Sequence, residues 1–136
     1  GYFDRSSLGV DQRQLEADYQ QILQLANEEK ALREGELFDL MYANAPSPSF
    51  DPQRQYAFLR KKDDELLIVN VNFSAEQRTT QIQIPAHAFD FFHIGEGEYE
   101  GLDLLMGQRR TDRWNRDGEI TLHTQGYGAT IVRYKV

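Results

Sequence analysis

The chain has no cysteine among its 136 residues, which excludes a disulfide framework and a thiolate metal site and leaves no redox mark of compartment. It also lacks an excess of positive charge: 15 Lys and Arg stand against 22 Asp and Glu, a formal net charge of −7. A phosphate backbone calls for a concentrated positive field, so nucleic acid is not an expected partner. No apolar run approaches the ~20 residues that span a bilayer, so no membrane partner is expected. Gly1 to Ser7 have neither the basic start nor the apolar core of a signal peptide, and the compartment stays unknown. Serine-nucleophile elbows, phosphate-binding glycine loops and dinucleotide fingerprints are missing too.

What is present is a helix signal followed by strand signals. Asp11 is placed as N-cap with Gln14 three residues on, and Gly35 is placed as a left-handed terminator, which together predict a helix from Asp11 to Glu34. Leu15, Tyr19, Ile22, Leu23 and Ala26 form one apolar stripe, with Leu25 and Leu32 about a quarter turn aside. A face that broad fits contact with two bodies. Aromatic Tyr2 and Phe3 just ahead of the helix read as the opening of a piece of something longer.

After Gly35 the apolar period becomes two. Leu37 to Tyr42 reads as a strand, broken by the loop Ala45-Pro46-Ser47-Pro48-Ser49. Tyr56–Arg60, Leu66–Phe73 and Thr79–Ile84 then read as a three-stranded meander with polar turns, ended by Pro85. In its central strand Leu67, Val69, Val71 and Phe73 are expected to face the core. Leu66, Ile68, Asn70 and Asn72 take the opposite face. Ala86 to Gly101 reads as irregular, with Ala88 to Phe92 plugging one end of the core. A strand at Leu102–Met106 and a turn through Gly107–Asp117 follow. The close is a hairpin of Glu119–Thr124 and Tyr127–Val136 about Gln125-Gly126. The resulting expectation is a soluble, mainly β protein: an antiparallel Greek-key β-sandwich of about seven or eight strands behind one long N-terminal helix.

Candidate chemistry is sparse. Asp63, Asp64 and Glu65 sit in a charged turn where solvation is the ordinary explanation, and Glu96, Glu98 and Glu100 alternate without the convergence a calcium site needs. His87, His93 and His123 are six and thirty positions apart, which matches no zinc spacing. Arg109, Arg110, Arg113 and Arg116 surround Trp114. That arrangement reads either as a sugar-stacking ring with donors about it or, the favoured reading, as a tryptophan packed at the sandwich edge beneath cation–π arginines. Asn72-Phe73-Ser74 matches a glycosylation acceptor but comes straight off a strand.

Taken in order, several stretches resemble one family. Leu15, Tyr19, Ile22 and Leu23, then Glu29-Lys30-Ala31-Leu32-Arg33-Glu34-Gly35 and Leu37-Phe38-Asp39-Leu40, resemble the end of the catalytic barrel in the alpha-amylase family of glycoside hydrolases, family 13. Tyr56-Ala57-Phe58-Leu59-Arg60, Glu65 to Ser74 and Gly118 to Val136 look like strands of that family's C-terminal sandwich. The resemblance implies that residues 1–35 are the last barrel helix and 36–136 the C-terminal β-sandwich domain. The family's catalytic carboxylates lie on preceding barrel strands without counterparts here, so it implies no catalytic, cofactor or metal residue in this chain. The implied role is structural, stabilising the (β/α)8 barrel of the same parent polypeptide, which would act on α-glucans. The alternatives are a starch- or maltooligosaccharide-binding module with Trp114, Tyr99 and Tyr127 as its platform, and a free-standing interaction domain.

Overall fold

The computed structural model describes residues 34–136 together with Glu28, Glu29 and Ala31, so the helix expected from Asp11 to Glu34 lies mostly outside the described residues. At its visible end Glu28, Ala31 and Glu34 have helical backbone and Glu29 does not. Gly35 donates its N–H to the Ala31 carbonyl at 2.9 Å. It is not left-handed as expected; among the described glycines positive φ belongs to Gly107, at 72°. Gly35 serves close approach instead, because a Cβ there would lie 2.2 Å from the Ala31 carbonyl oxygen and 3.0 Å from that of Lys61.

Eight antiparallel strands follow: β1 (Glu36–Asp39), β2 (Gln55–Lys62), β3 (Glu65–Asn72), β4 (Arg78–Ile84), β5 (Gly97–Asp103), β6 (Arg109–Trp114), β7 (Gly118–Thr124) and β8 (Ala129–Lys135). Two short helices interrupt them, α1 (Met41–Asn44) and α2 (Ala86–Phe92). Six strands form a large sheet in the order β1-β2-β3-β8-β5-β6, and β4 pairs with β7 in a small one. The expected β-sandwich is present. Seating β8 between β3 and β5 is the long-range return that a Greek-key connection makes.

Two expected pairings are not. The stretch from Tyr56 to Pro85 is a β2–β3 hairpin plus a strand that leaves for the other sheet, not a meander. Likewise β7 and β8 do not pair: β7 runs along β4 from Arg78↔Thr124 to Ile84↔Gly118, while β8 joins β3 and β5. The chain crosses between sheets at Gln125–Gly128, where Tyr127 has φ 52° and donates its N–H to Ser74 O at 2.8 Å. Gly126 is packed against the other crossing so tightly that a Cβ would sit 2.0 Å from the Ala75 carbonyl oxygen.

Boundaries shift where local chemistry overrides alternation. The strand expected over Leu37–Tyr42 ends at Asp39, whose Oδ1 accepts the Met41 N–H at 2.7 Å and turns the chain into α1; Tyr42 is then 95% exposed. The segment read as irregular after Pro85 contains α2, which buries Ala88, Phe89 and Phe92 as the expected plug. In place of a strand at Leu102–Met106 and a turn to Asp117, β5 ends at Asp103 and β6 begins at Arg109.

The largest correction concerns which face is inside. Leu66 and Ile68 belong to the core between the sheets, with Leu59, Ile82, Leu122 and Val132. Asn70 and Asn72 point the same way and are fully buried. Leu67 and Val69 lie on the outer face in a separate cluster with Ala31 and Ile131, while Phe73 is 40% exposed. The buried amides are satisfied: Asn70 Nδ2 donates to Thr124 Oγ1 at 3.0 Å, Gln55 Nε2 to Thr80 Oγ1 at 3.0 Å, and Thr124 and Thr130 share a 2.7 Å bond. The open edge of β4 is closed by Asn44, whose Oδ1 accepts the Gln83 N–H at 2.7 Å and whose Nδ2 donates to the Gln83 carbonyl at 3.0 Å.

Candidate functional site

The sequence candidates do not converge. Asp63 and Asp64 occupy the β2–β3 turn, where Asp63 has φ 54° and the Asp64 carbonyl accepts the Val136 N–H at 2.8 Å. Glu98 and Glu100 share the exposed face of β5; Glu96 precedes the strand and accepts the Arg116 N–H at 3.0 Å. His123 Nδ1 bonds Thr79 Oγ1 at 2.8 Å, and the His87 ring lies 5.9 Å from Phe38. Among the described residues, no group of three or more His, Asp or Glu is placed to hold a metal, and no helix is long and apolar enough to cross a membrane. The Asn72 sequon is internal, since its amide is fully buried.

Trp114 is fully buried, so it cannot serve as an exposed platform. It packs edge-on against Tyr134, ring centroids 5.1 Å apart at 77°, and its buried Nε1 lies near the Tyr134 hydroxyl without meeting hydrogen-bond geometry. The arginines do not lie over it as expected: Arg116 sits 5.8 Å over Phe89 and bonds Asp90 at 2.5 Å, which holds the exposed Asp90 carboxyl below its ordinary range. Tyr99 is half-buried and bonds the Gly95 carbonyl at 2.6 Å.

Beside Trp114, a polar group that sequence reading missed closes one end of the core. Arg110 grips Asp112 through Nε at 2.6 Å and Nη2 at 2.9 Å, and Tyr134 donates its hydroxyl to Asp112 Oδ2 at 2.5 Å. Arg110 Nη2 also reaches the Thr121 carbonyl of the small sheet at 2.7 Å. Burial first, and then the bond to Asp112, push the Tyr134 hydroxyl far above its ordinary value of 10.0. The folded state keeps this proton where the unfolded chain releases it. Its contribution is therefore complete below about pH 10 and falls above it, by up to ~1.4 kcal/mol per pH unit. In urea titrations the stability difference between the native protein and Tyr134→Phe is expected to be flat near neutrality and to shrink above pH 10. A difference independent of pH up to about 11.5 would contradict the assignment.

What the fold does assemble is a covered outer face on the large sheet. Leu67, Val69 and Ile131 are as buried as the core, although they point away from the small sheet. Phe58, Val71, Leu104 and Leu105 are packed around them. At this coverage each aliphatic side chain contributes roughly 1.5–3 kcal/mol. Toward β5 the same face opens into a depression of about 360 Å³ lined by Glu65, Glu100, Leu102, Arg109, Arg133 and Lys135, charges of both signs without an aromatic floor. The apolar part is a second buried cluster, separate from the core between the sheets.

Such a sandwich, with its two crossings locked together and one sheet packed on both faces, defines the class of fold. No family model and no curated protein matches the chain. Among solved structures, AmyP in complex with maltose is similar with a TM-score of 0.56 and 22% identity, over 93% of this chain and 22% of AmyP. The alpha-amylase of Geobacillus thermoleovorans complexed with acarbose follows at 0.55 and 17%, over 82% of this chain and 21% of the enzyme. A GH27 β-L-arabinopyranosidase from Geobacillus stearothermophilus gives 0.51 and 6%, over 77% and 21%. The chain thus spans about a fifth of each and shares with all of them a fold. Two kinds of glycosidase carry it, so fold alone does not choose between them.

Proposed function

We propose that the chain is the non-catalytic C-terminal domain of an alpha-amylase-like glycoside hydrolase acting on α-glucans. Residues 1–35 would correspond to the last helix of the (β/α)8 barrel and residues 36–136 to the sandwich, whose task is to stabilise that barrel. The observation that carries the reading is the second cluster: Leu67, Val69 and Ile131 are buried on the face turned away from the sandwich core, as in a domain built to be packed upon. The order of helix and strand stretches in the sequence and the fold shared with alpha-amylases support the family.

Two measurements test it. The gene upstream of Gly1 is expected to encode a (β/α)8 barrel with its carboxylates; a start codon immediately ahead of this chain would overturn the assignment. The purified chain is expected to release no reducing ends from starch, and hydrolysis that co-elutes with the protein would show a catalytic site of its own. Retardation in a starch-containing native gel would favour the binding module instead, and its platform would then have to lie away from buried Trp114.

A further inference from the structure

One row on the outer face of the large sheet alternates leucine and arginine across all its strands. Register sets Leu37, Arg60, Leu67, Arg133, Leu102 and Arg109 side by side. Two of these arginines already hold oxygens of the chain itself. Arg60 Nη1 donates to the Gly35 carbonyl at 2.8 Å, and Arg133 Nη1 donates to the Glu29 carboxylate at 3.1 Å. The third, Arg109, is exposed, and its guanidinium has no hydrogen-bond or ion-pair partner among the described residues. Arg109 and Arg133 both line the depression of about 360 Å³, with Leu102 between them in the row. Lys135 stands there too, opposite Glu65 in register and tied elsewhere only to Asp64 at 4.0 Å. Glu65 and Glu100, which complete the charged wall, make no hydrogen bond or ion pair among the described residues.

We propose that this depression binds a small oxyanion that carries hydroxyl groups, a carboxylated or phosphorylated polyol. Arg109 and Lys135 take the oxyanion, Glu65 and Glu100 accept from the hydroxyls, and Leu102 lies beneath the carbon chain. Precedent within the molecule is the first argument, because the neighbouring arginine of the same row already receives a carboxylate, that of Glu29. Charge balance is the second. With Arg133 neutralised by Glu29, two cations and two carboxylates remain, so a bare anion would meet two like charges and a bare cation two others. A ligand that brings both an acceptor and donors meets neither penalty. Neutral hydroxyls suit the donors better than an ammonium group, which would compete with Lys135 for Glu65. Size is the third, since the depression falls in the range of small-molecule sites, roughly 300–1,000 Å³. None of this depends on the amylase reading.

Calorimetric titration of the full chain at low ionic strength tests this with gluconate, glycerol phosphate, inorganic phosphate and glucose as probes. Gluconate or glycerol phosphate is expected to bind at one site, and the tighter of the two identifies the oxyanion. Glucose is expected not to bind. Arg109→Gln should weaken the binding about tenfold, as the loss of a hydrogen bond between charged groups does. Arg113→Gln, on the same face of β6 but outside the depression, should change it little. Absence of binding by both polyol acids at millimolar concentration would overturn the proposal, as would glucose binding as tightly as either. Inorganic phosphate matching glycerol phosphate would remove the role of the hydroxyls. Equal losses in the two arginine variants would replace the site by diffuse attraction. Amide chemical shifts of the native protein give a reading that needs no variant: they should move at Glu65, Gly101, Leu102 and Arg109, and movement centred elsewhere would overturn the placement.

Discussion

Replacing Asn72 with alanine is expected to destabilise the protein by ~3–5 kcal/mol, among the largest effects of any single polar substitution in this chain. The Asn72 carboxamide makes four hydrogen bonds inside the molecule. Its Nδ2 donates to the Glu76 carbonyl at 2.8 Å and the Gln125 carbonyl at 3.2 Å, and its Oδ1 accepts from Ser74 N at 3.0 Å and Ser74 Oγ at 2.6 Å. Glu76 belongs to the crossing from β3 to β4 and Gln125 to the crossing from β7 to β8, so one side chain ties together both passages between the sheets. Alanine takes the Asn72 donor from the Gln125 carbonyl and one of two donors from the Glu76 carbonyl, which Ser74 Oγ also reaches at 3.3 Å, and it leaves the Ser74 N–H without its acceptor, at ~1–3 kcal/mol for each group that water cannot reach. Urea denaturation followed by Trp114 emission measures the loss; a change under ~1 kcal/mol would mean that water replaces the amide. Asn72→Asp is a sharper probe, because its carboxylate would face the same two carbonyls. Its defect should exceed that of alanine at neutral pH and lessen in acid.

The second large effect is at Trp114. Truncation to alanine is expected to cost ~3–5 kcal/mol, the range for emptying a buried aromatic site. Trp114→Phe should cost less, ~1–3 kcal/mol, because the smaller ring empties only part of the site. Phenylalanine keeps an edge-on ring against Tyr134 and removes a buried indole N–H whose contact with the Tyr134 hydroxyl falls short of hydrogen-bond geometry. The two variants remove the only tryptophan, so circular dichroism is the measurement. Losses of equal size would show that the indole nitrogen, not the ring, holds the site.

The extent of the strands was largely legible, and their partners were not. Leu66 to Asn72 reads as a strand from composition alone, but counting apolar residues picked the wrong inner face. That face carries Asn70 and Asn72, buried amides whose partners Thr80, Thr124 and Thr130 lie on distant strands. A buried polar layer looks like a wet face until the facing sheet is known. The apolar Leu67 and Val69 misled for the complementary reason: Ala31, Leu104 and Leu105 pack against their cluster on the outer face, and period-two patterns do not report such cover. β6 was hidden by its charges, because the edge strand Arg109–Trp114 sends Arg110 and Asp112 into an internal network and leaves Arg109 and Arg113 in water. Gln125-Gly126 resembled a hairpin turn; contact with Ala75, invisible in the local sequence, makes it a crossing. At the candidate site the spacing of carboxylates and histidines had indicated no converging group. The arginine row of Arg60 and Arg133 had no local signal at all, since it depends on β3 lying between β2 and β8.

The position of β8 has a consequence for how the molecule comes into being. The strand made last among those described holds the middle of the large sheet, with β1-β2-β3 on one side and β5-β6 on the other. Until residues 129–135 have left the ribosome these two halves share no backbone ladder, and the central apolar residues of β3 have no neighbour on one side. Native assembly of the large sheet therefore waits for residues 129–135, is of high contact order and is correspondingly slow. A nascent chain stalled before Ala129 would expose the β3 edge to other chains, and chaperone demand should fall sharply once that strand emerges.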